Sequence, residues 1–193
     1  MPVDGHPAEP VPKVETWRST EGISHPAILR FLDYWNAKRG DRRAPSRRDI
    51  DPLEMRAFLP YILMLDVVGP EPRYRVRLMG TEYVRAVGAD LTGRFAEEGL
   101  PPDHYKLLRQ EIDDVATRFV LRYRISNLAF QGRPYARFHR LMLPLSDDQA
   151  QVNIVLIIGY MIAPEQRDIP TTPLNAAIET TTVVEARIAE ACK

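Results

Sequence analysis

A single cysteine, Cys192, stands near the C-terminus of this 193-residue chain. One thiol excludes an internal disulfide and a cysteine-based metal site, and its remote position gives no support to a cysteinyl nucleophile. A reducing cytoplasm fits such usage. Long apolar runs are missing as well: the longest, Ile154 to Ala163, is about half of the roughly 20 residues that a helical membrane span needs. The N-terminus carries Asp4, His6 and Glu9 in place of a basic head and an apolar signal core, so neither secretion nor membrane insertion is expected. Neither sign of charge is in surplus, because 26 basic residues balance 26 acidic ones, and no global attraction to nucleic acid or anionic membrane results. The sequence has no Gly-x-Ser-x-Gly elbow, no His-Glu-x-x-His pair, no Walker loop and no dinucleotide fingerprint, so it is not expected to be an enzyme.

What is present, 45% apolar and 27% charged residues, suits one globular domain with flanking segments. Residues 1–23, with Pro2, Pro7, Pro10 and Pro12 and few apolar side chains, cannot offset their ordering entropy and read as a flexible tail. The folded domain is expected over 24–163. Ser24-His25-Pro26 opens a helix in which Ile28, Leu29, Leu32 and Trp35 recur at helical spacing up to Gly40. Asp51-Pro52 is expected to open a short helix carrying Leu53, Met55, Phe58 and Leu59 until Pro60. The extension 164–193 turns at its prolines, after which Leu174, Ile178, Val184 and Ile188 suggest a short amphipathic helix weakened by three threonines.

Five strands are expected between these ends. Tyr61 to Val68 is apolar on both faces except for Asp66, whereas Tyr74, Val76 and Leu78 alternate with Arg73, Arg75 and Arg77. Glycine-broken helical fragments come next, then a longer helix from Pro101-Pro102-Asp103 through His104, Leu107, Leu108, Ile112 and Val115. The remaining strands are Phe119 to Ile125, Pro134 to Leu145 and Val152 to Ala163, joined by polar turns as an antiparallel meander. The first and fifth strands, apolar on both sides, belong in the centre. An α+β fold satisfies this: a five-stranded antiparallel sheet in the order 2-1-5-4-3, with a helical crossover on one face and the N-terminal helix on the other.

Five segments in succession carry a likeness: Leu32-Asp33-Tyr34-Trp35, Phe58-Leu59-Pro60-Tyr61-Ile62, Tyr74-Arg75-Val76-Arg77-Leu78-Met79-Gly80-Thr81, Gly88-Ala89-Asp90-Leu91-Thr92-Gly93-Arg94 and Leu143-Pro144-Leu145-Ser146. In this order they resemble PAS sensor domains, and among those the stand-alone bacterial PAS-like regulators. The resemblance implies a pocket between the inner sheet face and the crossover, where PAS domains hold haem, flavin, small acids or nothing. It implies also a surface that passes the signal to a partner. It leaves the cofactor unknown, and a cysteinyl flavin adduct is excluded by the lack of a core thiol.

Candidates for the pocket lining emerge from residue type. Tyr83, Tyr105, Tyr123 and Tyr160 offer hydroxyls to a ligand, although tyrosines in sheets commonly serve packing. His104 lies where haem-binding PAS sensors place an axial histidine; the plainer reading is a solvated residue in a first helical turn. His139 sits on a strand with polar residues on both faces, as a ligand contact or as a surface histidine. Arg137 and Arg140 fall on opposite faces of that strand, so at least one of them points inward or toward a covering helix and wants an anion: the carboxylate or phosphate of a small organic acid or a nucleotide second messenger, or, as the plainer reading, Asp66, Glu82 or Asp90. The arginines at 73, 75, 77, 118, 122 and 124 read as solvated edge residues, not as a nucleic-acid face.

The reading is thus a non-enzymatic, cytoplasmic regulatory module that binds a small molecule or a signalling protein. It is expected to signal through its N-terminal helix, with Ile28, Leu32 and Trp35 as interface candidates in a homodimer. The alternatives are an adaptor whose pocket is filled by Phe95, Phe119, Phe130 or Phe138, and a haem sensor.

Overall fold

The computed structural model describes residues 14–15, 22–71, 73–100, 102–130, 133–162 and 177–187. Helix α1 (Pro26–Arg39) starts with Pro26 in its first turn and ends at Gly40, whose φ of 56° is a conformation that other residues adopt at a cost. Its Ile28, Phe31, Leu32 and Trp35 are spaced as one helical face and are all buried. After it, a 3-10 turn at Arg47–Asp49 is closed by a capping box in which Ser46 and Asp49 satisfy each other's backbone N–H groups.

The short helix expected from Asp51 to Pro60 is not formed. Residues 52–58 make consecutive turns, and a 3-10 turn at Leu59–Tyr61 takes in Pro60. Leu53, assigned to an apolar helix face, is 79% exposed. With one turn's worth of apolar side chains to bury and Pro60 removing a donor, the segment cannot sustain a helical ladder.

Strand β1 (Val14–Glu15) precedes α1, and the other strands are β2 (Ile62–Val68), β3 (Arg73–Met79), β4 (Val120–Phe130), β5 (Arg133–Leu145), β6 (Ile154–Ile162) and β7 (Ala177–Arg187). Helices α2 (Thr81–Val87) and α3 (Pro102–Arg118), with a 3-10 turn at Ala96–Glu98 between them, form the crossover from β3 to β4. The sheet runs β1-β7-β4-β5-β6-β2-β3. Within it, β2 to β6 make the antiparallel five-stranded arrangement 2-1-5-4-3, with β6 paired to β2 from Ile62↔Ile158 to Asp66↔Ile154.

Two strands add to that frame. β7 pairs antiparallel with β4, and β1 lies parallel to β7. The C-terminal segment is therefore extended where a helix was expected. Its β-branched run Thr180-Thr181-Thr182-Val183-Val184 favours a strand, and the open edge of β4 supplies the partner. Of the expected N-terminal tail, Val14–Glu15 belong to the sheet and Ile23 is buried; residues 1–13 and 16–21 lie outside the described residues.

The sheet divides the molecule into two layers. On one face α1 packs over Ile62, Met64, Leu141, Leu143, Leu156 and Ile158, and the Trp35 indole donates to the Pro144 carbonyl at 3.1 Å. On the other face lies the crossover. Its placement needs Gly80 at the start of α2: a Cβ there would stand 2.3 Å from the Leu59 carbonyl oxygen and 2.4 Å from that of Pro60. Ile28, Leu32 and Trp35, assigned to an interface, are buried within the chain itself at 0%, 2% and 0% exposure. The apolar outer face of the central strands needed a cover, and α1 provides it without a second copy.

Candidate functional site

Between the crossover and the sheet is a cavity of about 300 Å³. That is the lower end of the range of roughly 300–1,000 Å³ typical of small-molecule sites. Most of its wall is apolar: Leu63 and Leu65 from β2, Val76 and Met79 from β3, Ala86 and Val87 from α2, Leu107 and Leu108 from α3, and Ile157 and Met161 from β6. Leu107 is 45% exposed and Arg85 is exposed, so the cavity meets solvent on their side.

One end is polar. Arg124 and Ser126 on β4 and Arg140 on β5 line it. The Arg124 and Arg140 guanidinium groups donate to the two oxygens of Glu111, a carboxylate on α3 that is itself buried. Burial alone would raise the pKa of Glu111, but Arg140 and Arg124 outweigh it and hold the carboxyl below the ordinary range. Burial also pulls the Arg124 guanidinium below its usual value, against the opposing pull of Glu111.

Tyr83 of α2 closes the same end. Its hydroxyl is buried and has no hydrogen-bond partner among the described residues, and burial raises its pKa, with Arg140 opposing. The ring meets Phe138 edge-on at 6.2 Å. It fits there because residue 159 is glycine: a Cβ would stand 2.4 Å from the Tyr83 hydroxyl and 2.7 Å from the Phe138 ring.

Of the other candidates, Tyr160 borders the cavity while its ring stacks on Tyr61 at 4.2 Å and on His25 at 4.4 Å. Tyr123 and His139 lie on the face covered by α1. There the Tyr123 hydroxyl is hydrogen-bonded to His139 Nδ1 at 2.5 Å and to Ser24 at 3.4 Å, so neither residue lines the cavity. His139 is pushed down to about 4 by burial first, then by His25 and Arg137. Arg137 is exposed on that same side of β5. Tyr105 is half-buried on α3 beside Glu97, away from the cavity wall. His104 lies in the first turn of α3, and its side chain is outside the described residues.

The acidic partners also differ from those expected for the inward arginine. Asp66 accepts from Arg77 at 2.5 Å and Arg75 at 3.4 Å, Glu82 pairs with Arg85, and Asp90 caps Thr92, while Arg140 takes Glu111. The edge reading of the arginines is corrected at 122 and 124, which belong to a strand flanked by β5 and β7 and pair with Asp114 and Glu111. Sequence reasoning missed Glu111, although a signal existed: it stands three residues after Leu108 and four before Val115, within the buried stripe of α3. Ser126 carried no such signal.

The adaptor alternative asked for phenylalanines in the pocket. Phe138 forms part of the wall, whereas Phe95 lies under the Arg73 guanidinium at 3.7 Å and Phe119 under that of Arg43 at 3.8 Å; the Phe130 side chain is outside the described residues. Among the described residues lining the cavity there is no histidine or cysteine. The wall as described therefore offers haem no imidazole or thiolate ligand.

No curated protein matches the chain. A family model described as PAS domain matches residues 23–162, which begin just before α1 and end with β6. That span holds the 2-1-5-4-3 sheet, its crossover and the cavity between them, and the chain belongs to the PAS-domain family.

Proposed function

We propose that this chain is a non-enzymatic sensory module that takes a small ligand into the cavity and reports its presence through the packing of α1. PAS domains are in general sensory and regulatory modules, which supports the class, and the cavity supports the mode. The observation that carries the reading is an open space of about 300 Å³, apolar over most of its wall, with the buried and unpartnered Tyr83 hydroxyl at its polar end. A purely structural core would close such a space, because empty volume forfeits packing energy.

The route to α1 is short. Gly159 leaves the room that the Tyr83 hydroxyl and the Phe138 ring take on the cavity side, and the next residue, Tyr160, stacks on His25 immediately before α1. An occupant that moves Tyr83 or β6 thus changes the contact on which the N-terminal segment rests. The output is an association with a signalling protein or a second copy, through a surface other than the buried stripe of α1.

Native mass spectrometry of protein purified from its own host tests the reading. A bound mass is expected in the wild type and is lost in Ala86→Phe, which fills the cavity, while the circular dichroism spectrum is kept. A wild type without bound mass, or a variant that retains it, counts against the cavity as the ligand site.

A further inference from the structure

We infer that the cavity selects an amphipathic monoanion, a single carboxylate on an unbranched or aryl apolar body, with its head group against Arg140 and Tyr83. The inference rests on the reading of the cavity as a ligand site. Arg140 has only a share of Glu111, since the same carboxylate also accepts from Arg124. The Arg140 side chain is nevertheless 14% exposed, and its Nε–H is buried with no acceptor among the described residues. The Tyr83 hydroxyl, near enough to Arg140 to feel its charge, is a second buried donor without an acceptor among the described residues. Two donors without an acceptor among the described residues, one of them cationic, thus belong to side chains that line the same cavity. The group that completes them is an anionic oxygen, and a carboxylate matches a guanidinium in shape as well as charge.

The rest of the wall limits the body behind the head group. Leu63, Leu65, Met79, Leu100, Leu108 and Ile157 offer hydrocarbon, so a second anionic group seated among them would lose its hydration with nothing in exchange. Arg85, the remaining cation of the lining, is exposed and paired with Glu82. A dicarboxylate or a nucleotide is therefore disfavoured and a hydrocarbon body favoured. At roughly 30 Å³ for each water-sized group, a space of about 300 Å³ takes about ten heavy atoms.

Isothermal titration calorimetry of the full chain with decanoate, decanol and decanedioate tests this selection. Decanoate is expected to bind about tenfold more tightly than either of the others. Arg140→Gln should abolish that preference. Because it disturbs a buried ion pair and its folding is at risk, Tyr83→Phe, which keeps the ring, serves as the second variant. It should weaken decanoate several-fold and leave decanol unchanged. Equal binding of decanoate and decanol overturns the inference while the cavity reading stands, as does a host-derived bound mass without an acidic group. Decanoate that binds Ala86→Phe as tightly as the wild type lies elsewhere and overturns both.

Discussion

A proton on His139 would have to be held in a buried site facing the Tyr123 hydroxyl, the His25 ring and the Arg137 guanidinium, with Tyr160 stacked beyond His25. None of these offers a negative charge, so the folded chain keeps the imidazole neutral down to about pH 4. In the unfolded chain the same residue titrates near 6.5. Between these values the unfolded state binds the proton and the folded state does not, and stability therefore falls as pH is lowered through that window. His25, whose pKa is also lowered by burial, adds to the same trend. Urea midpoints at pH 7 and pH 5 are expected to show a clear loss at the lower pH, and His139→Gln should shrink the difference; a midpoint unchanged between the two pH values would refute the assignment. Alternation along β5 separated Arg137 from Arg140 in sequence, but which of the two faces the crossover is decided by the partner layers, and α1 claims the face of His139 and Leu141.

α1 was legible because four apolar residues at helical spacing lie between a proline start and a glycine stop. The five strands of the core were legible because their two-sided or one-sided apolar patterns report their depth in the sheet. The turns at 52–58 and strand β7 were not, since short segments take the structure that their neighbours leave open. α1 contributes more than a cover: Trp35 fills the layer at 0% exposure, hydrogen-bonds Pro144 and lies under the Arg39 guanidinium at 5.8 Å. Trp35→Ala is expected to lower the unfolding free energy by about 3–5 kcal/mol in urea titration, through the lost contacts and the cavity left behind. A cost below about 1 kcal/mol would mean that α1 is loosely attached to the sheet.

Zero net charge conceals many internal pairs, and these set how the whole chain responds to acid. Against burial, backbone donors and arginines hold Asp49 and Glu97 below their ordinary range, and Arg140 and Arg124 do so for Glu111; backbone N–H and Arg94 hold Glu98, backbone N–H groups and the Ser146 hydroxyl hold Asp148, and the Thr92 hydroxyl and N–H hold Asp90. A depressed carboxyl stabilises the fold above its unfolded value and loses that contribution as pH falls through its folded one. Acid unfolding should therefore proceed in two parts, a gradual loss between about pH 6.5 and 4 from the histidines and a steeper one below about 4 from the carboxylates. Circular dichroism at stepped pH would show it, and a single transition near neutrality would contradict it. At this level the sheet order was legible from face chemistry and the place of the cavity from the family likeness, whereas most of its lining was not: the walls come from β2, β3, α2, α3, β4, β5 and β6, and only their assembly decides which side chains face the space.

The flank made by β1 and β7 joins Val14 to Val183, one of the longest loop closures the chain can make. During synthesis that closure must wait until residue 183 has left the ribosome. By then β2 to β6, complete at Ile162, already possess every partner they need. The five-stranded core is thus able to assemble on the nascent chain, leaving the edge of β4 for β7 to pair with afterwards and the edge of β7 for β1.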